Sequence, residues 1–188
     1  MNLISTSDFK KGMKIDFRDA PCEIIDFQHV KMGRGGAIVR TRLKNLKTGS
    51  IFDETFKSGE KFGVPELEQR SMQYLYREGS TYHFMDIENY EQIPLDVEQI
   101  GDAMRFLKEN MVVGVLLYKG SPLAVELPIF VELMITKTEP GIRGDTASGG
   151  SKPATLETGA VVKVPLHLNE GDIIKVDTRT SEYIEKVR

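Results

Sequence analysis

Short β-prone runs, each closed by a turn rich in glycine or proline, recur along almost the whole chain, and this punctuation constrains the fold more than any other feature. In the first segment the runs are Met13 to Phe17, Cys22 to Val30, Ala37 to Leu43 and Ser50 to Phe56. They are separated by Asp19-Ala20-Pro21, Gly33-Arg34-Gly35-Gly36 and Lys47-Thr48-Gly49. Closely spaced strands with turn signals between them predict a small barrel. The strand pattern lapses at Gly63-Val64-Pro65, where proline resists pairing in a central strand, and a domain boundary is placed there, giving residues 1–64 as the first domain.

The pattern resumes with Gln69 to Arg77, a turn at Gly79, and Thr81 to Asp86. Leu95, Val97, Ile100, Met104 and Leu107 then recur at roughly helical spacing, with Asp96 placed to cap the N-terminus. A hairpin of Met111 to Tyr118 and Leu123 to Leu127 closes residues 65–127. A helix between the third and fourth of five strands is the plan of an OB barrel. From Pro128 on, Phe130 to Thr138, Ala160 to Pro165, Ile173 to Asp177 and Tyr183 to Val187 predict a second OB-like barrel over residues 128–188, interrupted by a polar glycine-rich loop from Gly141 to Gly150.

Composition excludes several alternatives. The single cysteine, Cys22, permits no internal disulfide and no cysteine-rich zinc site, which fits a reducing compartment. The N-terminus lacks the apolar stretch of a signal peptide and no segment reaches the ~18 apolar residues of a membrane span, so a soluble, cytoplasmic protein without membrane contact is expected. His29, His83 and His167 are far apart, neither HExxH nor GxSxG occurs, and Cys22 lies in an alternating strand pattern that suits a small core residue. Gly144 and Gly149 have the spacing of P-loop glycines, but Gly150 follows where a lysine is required. No catalytic residue, no metal site and no cofactor are expected.

Charge is distributed unevenly. Residues 1–64 hold 12 Lys and Arg against 8 Asp and Glu, the remainder 13 against 20, for a net charge of -3. No acidic residue occurs between Asp26 and Asp53, whereas Lys31, Arg34, Arg40, Arg42, Lys44 and Lys47 all fall there. Arg34 stands between glycines that permit positive φ angles and a close backbone approach. A guanidinium at such a tip can pair with a phosphate or stack on a base, and several cations without a competing anion suit phosphate binding. A plain solvated turn is the other reading of the same residues.

The C-terminal third carries a more specific pattern. Lys152-Pro153-Ala154-Thr155-Leu156-Glu157-Thr158-Gly159-Ala160-Val161-Val162-Lys163-Val164-Pro165, followed by Gly171-Asp172, resembles the C-terminal signature of the bacterial elongation factor P family. The resemblance extends to Gly144-Asp145-Thr146, to Val176-Asp177-Thr178-Arg179, to Tyr183 and to the basic hairpin. It implies an all-β chain, an SH3-like (KOW-like) N-terminal barrel followed by two OB-fold barrels in an L-shaped, tRNA-like arrangement. It also implies a monomeric, non-enzymatic factor that contacts both ribosomal subunits between the peptidyl and exit sites and stimulates peptide-bond formation at consecutive prolines.

By the same resemblance Lys31, Gly33, Arg34, Gly35, Arg40 and Arg42 contact peptidyl-tRNA, and Gly144, Asp145 and Thr146 form the loop at the exit-site codon. The tip position is a modified lysine in many members of the family. Here it is Arg34, which excludes lysine-directed modification and resembles the arginine-type members that carry a rhamnose added by an arginine rhamnosyltransferase. Met32 stands where proline is common. An elongation factor P-like paralogue, a generic OB-fold RNA-binding protein acting off the ribosome, and a hydrolase assembled across domains are the competing readings.

Overall fold

The alternation along the first barrel forms strands because every second side chain has a core to enter. The computed structural model describes residues 2–141 and 150–187. In it β1 (Leu3–Ser5), β2 (Lys14–Phe17), β3 (Ala20–Met32), β4 (Gly36–Asn45), β5 (Ile51–Lys57) and β6 (Lys61–Gly63) follow in sequence. β2 to β5 form an antiparallel four-stranded sheet in chain order, and β1 pairs with β6. Ile15, Cys22, Ile24, Val39 and Leu43 are fully buried and share one cluster with Phe9, Phe56 and Phe62. The Phe56 and Phe62 rings lie 4.5 Å apart; Cys22, fully buried in this cluster, is a core residue, and that burial raises the pKa of its thiol. β1 and β6 escape the sequence reading because three residues are too few to display alternation.

The second sheet contains β7 (Leu67–Glu78), β8 (Thr81–Asp86), β9 (Gln92–Asp96), β10 (Val112–Tyr118) and β11 (Ser121–Glu126), in the order β11-β10-β7-β8-β9. The segment between β9 and β10 holds α1 (Val97–Ile100) and a 3-10 turn at Gly101–Arg105. Asp96 caps α1 as expected. Its carboxylate accepts from the Gln99 N–H at 2.9 Å, and the Gln99 side chain accepts from the Asp96 N–H at 2.9 Å, a reciprocal capping box. The helix itself is shorter than the apolar spacing predicts. Leu95 belongs to β9, an edge strand where Pro94 costs no ladder bond, and Gly101, at φ +55, ends the first turn. Placed between the third and fourth strands, this element satisfies the OB plan.

The third sheet comprises β12 (Phe130–Thr138), β13 (Ser151–Leu156), β14 (Val161–Pro165), β15 (Ile173–Asp177) and β16 (Glu182–Lys186), in the order β14-β13-β12-β15-β16. Its core holds Leu133, Ile135, Leu156, Leu168 and Ile174, joined by Phe106 from the segment that follows α1. The signature stretch beginning at Lys152 is therefore a strand, a hairpin turn and a second strand, with Ala154 opposite Val162 and Thr155 opposite Val161.

Two compact units result, Met1–Gln69 with Leu116–Ala124, and Arg70–Val115 with Val125–Arg188. Within the first, the Tyr118 hydroxyl donates to Asp16 at 2.8 Å, and the Lys47 ammonium lies 5.2 Å from the centre of the Tyr118 ring. Within the second, the Thr158 hydroxyl donates to the Arg105 carbonyl at 2.6 Å and Lys108 pairs with Glu157 at 3.0 Å. Among the described residues, no helix is long and apolar enough to cross a membrane.

Candidate nucleic-acid interface

The register of β3 on β4 fixes where the basic hairpin turns. Lys31 faces Ala37 and Met32 faces Gly36, leaving Gly33, Arg34 and Gly35 as a three-residue loop. β5 accompanies β4 only as far as Ile38, opposite Lys57, so the end of the hairpin extends past the third strand and residues 31–37 are all exposed.

The left-handed position is not beside Arg34, as the sequence predicts, but at Gly36, where φ is +83 and the returning strand begins. Gly33 and Gly35 lie outside that region. A Cβ on Gly33 would meet nothing within 4 Å, and one on Gly35 would touch only the Met32 Cβ at 4.0 Å. The fold thus requires glycine at 36 and tolerates side chains at 33 and 35. Bare backbone on both sides of Arg34 leaves room for a close approach from outside the chain.

β4 sorts its side chains by face. Val39, Thr41 and Leu43 point into the barrel, and Arg40, Arg42 and Lys44 point out, as a period of two demands. Directly opposite Arg42 stand Asp26 on β3 and Asp53 on β5. The Arg42 guanidinium donates to both Asp53 oxygens, at 2.9 and 3.3 Å. Hydrogen bonding between them lowers the pKa of Asp53 and raises that of Arg42. Asp26 accepts from Lys11 at 3.0 Å, and its carboxyl is lowered chiefly by that bond. Lys47 donates to the Asp19 carbonyl at 2.7 Å.

The stretch free of acids in sequence is therefore not free of them in space. Among the described residues, the side chains of Lys31, Arg34 and Arg40 make no hydrogen bond or ion pair, nor does that of Lys44 nearer the base. Three of these four unpaired side chains lie in the outer part of the hairpin, with Arg34 in the loop itself. Asp53, which neutralises Arg42, is the site residue that sequence reasoning missed; only the β4–β5 register reveals it. Gly144, Asp145 and Thr146 lie outside the described residues. Next to that segment, Lys152 is buried and donates to the Glu139 carbonyl at 2.6 Å.

The histidines have separate surroundings, His29 against the Phe27 ring and His83 stacked on Tyr76 at 4.6 Å. Among the described residues no three His, Cys, Asp or Glu side chains gather as a metal site.

A first barrel that presents an unpaired cationic hairpin, followed by two OB-type sheets, has the architecture of a multi-barrel nucleic-acid-binding protein. The family models for the elongation factor P KOW-like domain, OB domain and C-terminal domain match residues 5–62, 67–125 and 131–186. The chain belongs to the elongation factor P family of ribosome-associated translation elongation factors. It is 59% identical over 186 residues to elongation factor P of Thermodesulfovibrio yellowstonii, covering 99% of this chain and 100% of that one. It is 55% identical over 185 residues to elongation factor P of Clostridioides difficile, covering 98% and 100%. Among solved structures it resembles eukaryotic translation initiation factor 5A from Methanococcus jannaschii, with a TM-score of 0.55 and 24% identity over 66% of this chain and 93% of that one. This structural likeness concerns the fold.

Proposed function

We propose that the chain binds the ribosome between the peptidyl and exit sites, contacting both subunits, and holds the acceptor end of peptidyl-tRNA so that peptide bonds form at consecutive prolines. The observation that carries this reading is the tip of the hairpin, where an unpaired guanidinium stands between two glycines that the fold itself does not need. Arg34 orders the acceptor end by paired, planar donation to phosphate or by stacking on a base. Lys31 and Arg40 supply attraction that weakens with salt. Gly33 and Gly35 keep the approach open, and Arg42 joins only by exchanging Asp53 for a phosphate. The contribution to rate is positional: restricting the reactants to a reactive geometry removes entropy from the barrier, and no cofactor is needed.

The reading extends to a monomeric, cytoplasmic factor organised as residues 1–64, 65–127 and 128–188. Gly144, Asp145 and Thr146 reach the exit-site codon, and Arg34 is the target of an arginine rhamnosyltransferase. Support for the modification is the exposure of Arg34 and its lack of partners. Sedimentation of the chain with and without ribosomes tests the reading. Co-sedimentation that declines with salt is expected, and a chain that stays in the supernatant at low salt refutes it.

A further inference from the structure

The part of the chain after residue 64 is net acidic, yet the structure gathers two arginines on one cleft there. Arg77, at the end of β7, and Arg105, at the end of the 3-10 turn, both line a cavity of about 350 Å³ with Tyr82, Met104, Thr158 and Val161. Among the described residues, no carboxylate lines it. Each guanidinium lies over an aromatic ring and makes one hydrogen bond. Arg77 lies 5.1 Å from the centre of the Tyr82 ring and donates through Nε to the Gly79 carbonyl at 2.6 Å. Arg105 lies 5.3 Å from the centre of the Phe106 ring and donates through Nη1 to the Ser181 hydroxyl at 3.2 Å.

Both arginines therefore keep donors unused, and among the described residues neither meets an acid. The single hydrogen bond and the ring contact restrict each side chain, which reduces the freedom to be lost on binding. The cleft wall is also braced, since the Thr158 hydroxyl donates to the carbonyl of Arg105 itself.

We propose that this cleft binds a backbone phosphate of RNA, as a second contact independent of the hairpin tip. Two pre-oriented planar cations with free edges match tetrahedral phosphate oxygens, and a phosphate is the recurrent anion on any RNA surface. The inference rests on the ribosome-binding reading above, which places RNA around the chain. In that setting the cleft fixes the orientation of the second unit, whereas Arg34 acts at the reacting end.

The test is the salt dependence of ribosome affinity, measured with fluorescently labelled chain over a potassium chloride series. Neutralising one phosphate contributes about 0.7 to 0.9 to the slope of log affinity against log salt. The R77Q/R105Q double variant should lose about that much slope and bind about tenfold more weakly at low salt. The R77K/R105K variant, which keeps the charge, should retain most of the slope, an outcome that a purely structural role does not produce. Arg77→Gln alone, which leaves the Arg105 contacts with Ser181 intact, provides the same reading if the double variant folds poorly.

A photocrosslinking side chain in place of Val161, exposed on the rim, should give an adduct destroyed by ribonuclease. An unchanged slope in a chain that still binds ribosomes overturns this site alone, and so does an adduct formed only with protein. Failure of the parent chain to bind ribosomes overturns the underlying reading as well.

Discussion

Three glycines, Gly33, Gly35 and Gly36, flank Arg34 at the hairpin turn, and the structure assigns them different work, which substitution with alanine separates. Gly36 occupies the left-handed region at φ +83, where an L-residue costs about 1–2 kcal/mol, so Gly36→Ala should destabilise the first barrel by about that amount. Gly33 is outside that region, and a Cβ there meets nothing within 4 Å. Gly33→Ala should therefore leave stability unchanged or raise it by about 0.4–1 kcal/mol through the unfolded chain. Gly35→Ala should behave similarly, because its Cβ makes only an ordinary contact of 4.0 Å with Met32. Amide hydrogen exchange at Ile24, Val39 and Leu43, buried strand positions of this barrel, reads the opening free energy directly. In a purified translation system the ranking should invert for activity. Gly33→Ala and Gly35→Ala, stable as they are, should slow synthesis through consecutive prolines by about 10- to 100-fold, the penalty of a misplaced contact. A Gly33→Ala chain that translates prolines at full rate, or that loses stability, refutes the argument that glycine is kept there for an external ligand.

Phe106 enters the core of the third barrel from outside its strands and is 2% exposed. Phe106→Ala should cost about 3–5 kcal/mol, seen as faster exchange at Leu133 and Ile174 while Val39 is unaffected. Arg179, through a hydrogen-bonded pair at 2.7 Å, holds the Asp177 carboxyl at about 2, below its ordinary 3.8. Because the folded carboxyl is the stronger acid, its stabilisation is complete above the ordinary value and is lost as pH falls through about 2. In an acid titration followed by circular dichroism, Arg179→Ala should move unfolding to higher pH, and an unmoved transition removes the pair from the account. A fragment of residues 1–64 should give native-like far-UV spectra although it lacks Leu116–Ala124 of its compact unit, since Phe9, Ile15, Ile24, Leu43, Phe56 and Phe62 cluster with one another; an unfolded fragment shows that the Tyr118 contacts with Asp16 and Lys47 are required.

Where strong alternation met a clear turn, the sequence was a sufficient guide. Thr81–Asp86, Phe130–Thr138 and Ile173–Asp177 are strands with the predicted bounds, because each buries every second side chain. β9 was obscured because Leu95 fits both a helical spacing and a strand, and its edge position tolerates Pro94, which reads as a breaker. β13 was obscured because Pro153 interrupts it, and its pairing with β12 and β14 is long-range information.

In the hairpin, the glycines and Arg34 were legible as a loop, but which glycine adopts positive φ depends on the pairing of Met32 with Gly36. The charge pattern misled for a similar reason. Asp53 lies 11 residues from Arg42 along the chain, outside any local pattern, yet the register sets it directly opposite.

The central claim is that the Arg34 guanidinium orders the acceptor end and is not merely one more cation for ribosome binding. Arg40 and Lys31 remain in Arg34→Ala and keep much of the long-range attraction, so affinity and rate should part company. Measured together in a purified translation system, Arg34→Ala should associate with ribosomes within a few-fold of the parent, an expectation from the remaining cations. It should nevertheless make peptide bonds between consecutive prolines slowly even at saturating concentration, and Arg34→Lys, lacking the planar fork, should also be defective. Full-rate synthesis by Arg34→Ala at saturation would contradict the account.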